Sequence, residues 1–206
     1  MAQKNIWMIV IFSLLGLALV GFSTDLFLGD EIIHFRCAKD IFRAERRVTV
    51  DSLYGEEFSN QIHYMFPPLW HLLLAFLWKI TGGISFRVAQ FYHLFYYALL
   101  LVSTYFIGKE LYGKEEGWFS TLLVATLPMV VSFGILFYMD VPLAALMSLT
   151  FLLILKKRAI LAGFGFGLMS FTKMNGLVFG VPFFLTILFQ KDQNRRWTQL
   201  LGFTLV

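Results

Sequence analysis

Asp30 and Glu31 stand side by side just after a long apolar run, with His34, Arg36, Lys39 and Asp40 close behind them. A carboxylate at a membrane surface can take a proton from an incoming hydroxyl or hold a divalent cation. Glu31 and His34 share one helical face and could also share a metal, but no second pair with ligand spacing accompanies them. The plainer reading is the solvated start of a loop. Asp140 interrupts an apolar tract between Tyr138-Met139 and Val141-Pro142. A lone carboxylate in such surroundings usually faces a cavity or a partner, although Asp with Pro142 nearby would equally cap a helix start. Lys173 separates two apolar runs, and its ammonium could neutralise a phosphate with help from Thr172 and Asn175; its plain role would be snorkelling to an interface. Tyr54, His63 and Tyr64 add polar groups to the segment after Asp40, and Arg43, Arg46 and Arg47 suit anionic headgroups.

The elements that position these groups are apolar. The chain has 206 residues, 58% hydrophobic and 15% charged, with 24 Phe, and its mean hydropathy is +0.72. A soluble domain of this size has no use for so much apolar surface, and the uncharged runs approach the roughly 20 residues that span a hydrocarbon core. The composition predicts an all-α, polytopic transmembrane bundle. The net charge of +4 then reports orientation rather than nucleic-acid binding, which is excluded as a function class. Cys37 is the only cysteine, so no internal disulfide can form. Lys4 and the run from Ile6 to Val20 show no small-residue cleavage site and read as an uncleaved first span.

The expected spans are 6–24, 87–107, 117–138, 141–155, 159–172 and 175–190, with another starting at 198–206. Residues 25–86 form a long first loop. Its stretch 67–80, opened by Pro67-Pro68, is short for a crossing and reads as an interfacial helix with Trp70, His71, Trp78 and Lys79 at the headgroup level. With 67–80 outside the count, Lys4, Lys109 and Lys114, Lys156 to Arg158, and Lys191 to Arg196 all fall on the cytoplasmic side. The loop, Asp140 and Lys173 then share the extracytoplasmic side of a multi-pass protein whose N-terminus is cytoplasmic. Ala159, Gly163 and Gly167 recur at helical spacing and should let a neighbouring helix approach closely. Gly163, Gly165 and Gly167 lie in apolar surroundings with no preceding strand, so they are not a nucleotide loop. The sequence has neither a P-loop nor a serine nucleophile elbow.

These features together resemble the C-type membrane glycosyltransferases, most closely the dolichyl-phosphate-mannose protein mannosyltransferases. The resemblance runs through Gly29-Asp30-Glu31, Pro67-Pro68-Leu69-Trp70-His71-Leu72-Leu73, Gly108-Lys109-Glu110-Leu111-Tyr112-Gly113, Pro128, Asp140-Val141-Pro142-Leu143, and Gly163 to Gly167 leading into Thr172-Lys173. It implies a bundle whose first extracytoplasmic loop, with its juxtamembrane helices, carries the catalytic acid. The donor it implies is a sugar on a polyprenyl or dolichyl phosphate, transferred with inversion to a protein, lipid or glycan acceptor. By motif position, Asp30 or Glu31 would be the general base, and Asp140 a second acid that binds acceptor or joins Asp30 on a divalent metal ion. Lys173 would lie near the lipid phosphate, with His34, Arg36, His63, Tyr64 and Asn175 as further substrate-binding candidates. Such a hexosyltransferase would sit in the plasma membrane or endoplasmic reticulum among membrane lipids. Members of the family usually continue for several more spans, so 206 residues would be an N-terminal portion. The alternative is a non-enzymatic multi-span protein, a transporter fragment or assembly subunit; the absence of an internal repeat speaks against the transporter.

Overall fold

The computed structural model describes residues 15–16, 30–43, 67–189, 200 and 202–203, and among these every regular element is helical. Apart from residues 15–16, the expected first span, loop residues 44–66 with His63 and Tyr64, and most of 198–206 lie outside the described residues. The elements are α1 (Asp30–Arg43), α2 (Leu69–Thr81), α3 (Phe86–Leu111), α4 (Lys114–Thr126), α5 (Pro128–Ile135), α6 (Asp140–Leu155), α7 (Ala159–Thr172), a 3-10 turn over Met174–Phe179, and α8 (Gly180–Leu188).

Each boundary has a local cause. Gly82 takes a left-handed conformation (φ 88°) and its N–H closes α2 onto Trp78 O. The Trp78 indole N–H donates to Ser85 O at 2.8 Å, and Ser85 caps α3 by accepting the N–H of Val88 at 3.5 Å. Between α3 and α4 the backbones touch, since a Cβ on Gly108 would lie 2.7 Å from Gly117 Cα. Pro128 has no N–H and opens α5, so the apolar stretch expected as one span over 117–138 becomes two helices bent by 66°. Tyr97 Oη donates to the Ala125 carbonyl beside that break at 3.4 Å.

The long helix α3 is the spine, packed against α4 on one side and α6 on another; α6 in turn carries α7, and α1 lies on α2. Helix α6 runs in the direction of α3, and α7 returns against α6. At one end, Lys109 near the close of α3 and Lys156 just after α6 both lie over the Phe106 ring, at 5.8 and 5.6 Å. At the other end, Asp140 before α6 and Lys173 after α7 meet. Of the predicted glycine stripe, Gly163 approaches the main chain of Phe203, where a Cβ would meet Phe203 O at 2.8 Å, whereas Gly167 faces open space. Gly165, midway between two members of the stripe, closes against Thr150.

Where the sequence places six crossings, the described residues hold one helix long and apolar enough to span a membrane, Phe86–Leu111, or two if the bent pair α4–α5 is one span. The other apolar helices are shorter because the chain turns at Lys156-Lys157-Arg158 and again at Lys173. The helix expected over 67–80 is present as α2, with a different environment. Trp70, His71 and Trp78 are fully buried beneath α1 and α3, and only Lys79 of the four expected headgroup residues is exposed.

Candidate functional site

Helix α1 turns Glu31, His34 and Ala38 inward at helical spacing, while Ile32, Arg36 and Arg43 point outward. Glu31 is 2% exposed, and its Oε1 accepts the main-chain N–H of Phe137, in the turn that joins α5 to α6. The Phe137 ring lies 4.3 Å from that of Trp70 on α2. One turn after Glu31, His34 Nδ1 is 3.2 Å from His71 Nε2. One of these two nitrogens donates and the other accepts, and His34 also sets its edge against Trp70 at 5.6 Å. Burial holds the His34 imidazole down at about 4, with the Lys173 charge adding to the effect. Burial and then His34 hold His71 at about 3. Both rings are therefore neutral at neutral pH. Cys37, on the same helix, is buried, and its thiol is pushed up to about 11 by that burial and by Asp40.

Asp140 and Lys173, separated by two helices in sequence, form an ion pair: Lys173 Nζ donates to Asp140 Oδ1 at 2.7 Å. The Lys173 side chain is 22% exposed and that of Asp140 41%. Asp140 is not the helix cap that its neighbour Pro142 suggested. Met139 occupies the cap position without a side-chain bond, and Asp140 is the first helical residue, where the N-terminal dipole favours a negative charge. Lys173 ends α7 in an extended conformation, and the chain then turns back tightly, since a Cβ on Gly176 would lie 2.9 Å from Met169 O. An ammonium, a half-exposed carboxylate, a buried carboxylate and two neutral imidazoles are thus brought to one end of the fold from α1, α2, α6 and α7. Such a group can neutralise a phosphate and receive a proton at adjacent positions.

Other sequence candidates lie elsewhere. Asp30 opens α1 next to Glu31, but its side chain lies outside the described residues, as do His63 and Tyr64. Arg36 is exposed on the outer face of α1 and Asn175 is exposed in the 3-10 turn, so neither joins the cluster. Thr172 is buried and donates to Leu168 O at 2.8 Å, which removes its proton from phosphate binding. For a metal on Asp30 and Asp140, only the Asp140 donors are described, and the Lys173 ammonium already sits against Oδ1, where its charge opposes a cation. Among the described residues no group of three or more His, Cys, Asp or Glu gathers around a common point. Sequence reasoning missed Phe137, which contributes through its main chain, and took Trp70 and His71 for interface anchors. The available signal was a histidine and a tryptophan adjacent on a helix whose other face is apolar.

A family model described as dolichyl-phosphate-mannose-protein mannosyltransferase matches residues 66–206. The chain belongs to that family. No curated protein and no solved structure matches it. Membership in the mannosyltransferase family makes glycosyl transfer from a polyprenyl-phosphate-linked sugar the class of reaction to which the chain is tied. The matched stretch contains Trp70, His71, Phe137, Asp140 and Lys173. Asp30, Glu31 and His34 precede it, so α1 is linked to the matched residues by the packing just described.

Proposed function

We propose that the chain is a membrane-embedded transferase that moves a sugar from a polyprenyl phosphate to an acceptor hydroxyl, with inversion at the anomeric carbon. The observation that carries this reading is the meeting of Asp140 and Lys173 at 2.7 Å, beside a helix that begins at Asp30, inside a chain of the mannosyltransferase family. The acceptor oxygen forms a bond to the anomeric carbon as the bond from that carbon to the phosphate oxygen breaks; its electron pair leaves with the phosphate. The acceptor proton passes to a carboxylate, for which Asp30 is placed by motif and Asp140 stands as the second acid. Lys173 faces the leaving phosphate, where negative charge grows during the reaction.

The return of α7 against α6 supports a multi-pass arrangement. Lys109 and Lys156 share one end and Asp140 and Lys173 the other, as expected if the first end is cytoplasmic and the site opens on the extracytoplasmic or lumenal side. Large apolar side chains face outward along the way, among them Phe91, Phe95, Phe119, Leu161 and Phe164, which suits contact with lipid.

The test is transfer from a polyprenyl-phosphate-linked mannose by the protein in proteoliposomes. Asp30→Asn and Asp140→Asn should each lower the rate by about 10²-fold or more, in the range seen for loss of a positioned acid or base, while the protein remains folded and monodisperse. Undiminished transfer in both variants would remove the carboxylates from the mechanism.

A further inference from the structure

We propose that Glu31 is a positioning residue: through the main-chain N–H of Phe137 it fixes the turn that presents Asp140 to Lys173. The strut itself is a matter of geometry, and its bearing on transfer rests on the reading above.

The turn between α5 and α6 is short of partners for its own backbone. Leu136 N donates back to Ser132 O at 3.0 Å and Tyr138 N to Leu136 O at 2.8 Å. The N–H between them, that of Phe137, goes to Glu31 Oε1. Glu31 and Phe137 are both almost wholly buried, so an unbonded N–H there would have no water to turn to. The ring of Phe137 is held at the same time by Trp70 at 4.3 Å. The turn is thus fixed by its main chain from α1 and by its side chain from α2. Asp140 lies less than one helical turn further on and has to meet Lys173 at 2.7 Å.

His34 completes the attachment of α1. It is one turn from Glu31 and is tied to His71 at 3.2 Å, so α1 is fastened to α2 through an imidazole pair and to the α5–α6 turn through a carboxylate. A lone pair of Glu31 that already accepts a buried main-chain N–H is poorly placed to take a proton from an acceptor arriving from solvent. The duty of base then falls to Asp30 or Asp140, and the task of Glu31 requires an acceptor oxygen at a set distance. It does not require a charge.

That distinction gives opposite rankings for two conservative variants. Glu31→Gln keeps an amide oxygen at the same reach, whereas Glu31→Asp keeps the charge and shortens the side chain. A strut predicts more transfer in Glu31→Gln than in Glu31→Asp; a misplacement of about 1 Å at Asp140 costs about 10²-fold in rate. The loss should fall on kcat, with the affinity for unmodified polyprenyl phosphate retained, because Lys173 stays in place. A base predicts the reverse ranking, with Glu31→Gln inactive, and that result would overturn the proposal. So would equal abolition of transfer in both variants, or no loss in either.

A second measurement is independent of turnover. Amide hydrogen exchange over residues 136–140, in the full chain in lipid nanodiscs, should be as slow in Glu31→Gln as in the parent and at least about tenfold faster in Glu31→Ala, as for a segment freed to open locally. Equal exchange in the parent and Glu31→Ala would overturn the strut. An inactive parent with the predicted exchange pattern would instead count against the transferase reading alone.

Discussion

Acid should loosen this fold earlier than its carboxylates require, because His34 and His71 are buried as neutral rings. An exposed histidine takes its proton near pH 6.5, whereas folded His34 does so only at about 4 and His71 at about 3. The folded pKa lies below the unfolded one, so the stability tied to these rings is full above pH 6.5. It drains as pH falls from 6.5 towards 4, and the loss is complete below the folded values. For His34 alone, the unfolded chain at pH 5 is almost fully protonated and the folded chain almost not, a difference of about 2 kcal/mol. His71 acts in the same direction, but each ring feels the charge of the other, so the two contributions are not added. The charge felt by His34 is that of Lys173, and Trp70 packs edge-on against both rings. For a chain of this size about 2 kcal/mol moves the melting midpoint by about 4 to 8 °C. Scanning fluorimetry in detergent at one heating rate, from pH 7 to pH 5, should show at least that drop in the parent. It should show a much flatter profile in the His34→Gln/His71→Gln double variant, whose amides bond without titrating. A parent profile flat between pH 7 and 5, or a double variant that falls as steeply, would refute the burial argument.

Lys173→Met should cost transfer far more than it costs binding of unmodified polyprenyl phosphate, whereas Asp140→Asn, by releasing the ammonium from its 2.7 Å partner, should tighten that binding several-fold even as transfer is lost; titration in nanodiscs beside a transfer assay reads both. Gly117→Ala would place a methyl group 2.6 Å from Tyr105 O and 2.8 Å from Lys109 N, both main-chain atoms that cannot yield separately. It should cost about 3 kcal/mol or more, within the upper range for overpacking, seen as a lowered melting midpoint. Cys37 is buried with its thiol raised to about 11, so the folded chain should resist maleimide at pH 7 until it is denatured. That silence makes it a clean parent for topology mapping, in which a cysteine at Ser85 should label from outside and one at Gly113 from the cytoplasmic side.

The helix over 67–80 and the break at Lys173 were legible because proline and charge punctuate an apolar chain by simple local rules, whereas the bend at Pro128 fell inside a stretch expected as one span over 117–138. Asp140 and Lys173 were legible for a related reason, since each is a charge in a tract that has no other use for one. Their partnership was not legible, because they stand 33 positions apart and no local periodicity links the start of α6 to the end of α7. The inward turn of Glu31 was equally hidden. Adjacent carboxylates on a helix point about 100° apart, and which one faces inward depends on how α1 lies on α2. Trp70 and His71 misled because an amphipathic ring looks the same in sequence at a lipid surface and beneath a covering helix. The covering helix, α1, sits in a stretch whose charges read as loop.

The charges in this cluster bear on how a lipid-linked donor would be held. Among the described residues Lys173 is the cation whose charge reaches His34, and it already has Asp140 as counterion, while the two imidazoles add no charge at neutral pH. Two unit charges about 4 Å apart near a protein surface attract by about 4 kcal/mol, but a phosphate that replaces one carboxylate on the same ammonium gains only the difference between two similar terms. Ground-state electrostatics alone would then bind the donor weakly. Affinity is better supplied by the polyprenyl chain, for which the outward faces of α7 and α8 offer Phe164, Phe171, Val181 and Phe184. The arrangement leaves the ammonium for the moment when the bond to the anomeric carbon breaks and the phosphate oxygen gains charge. An interaction that strengthens on the way to the transition state speeds the reaction, whereas one already complete in the bound donor does not.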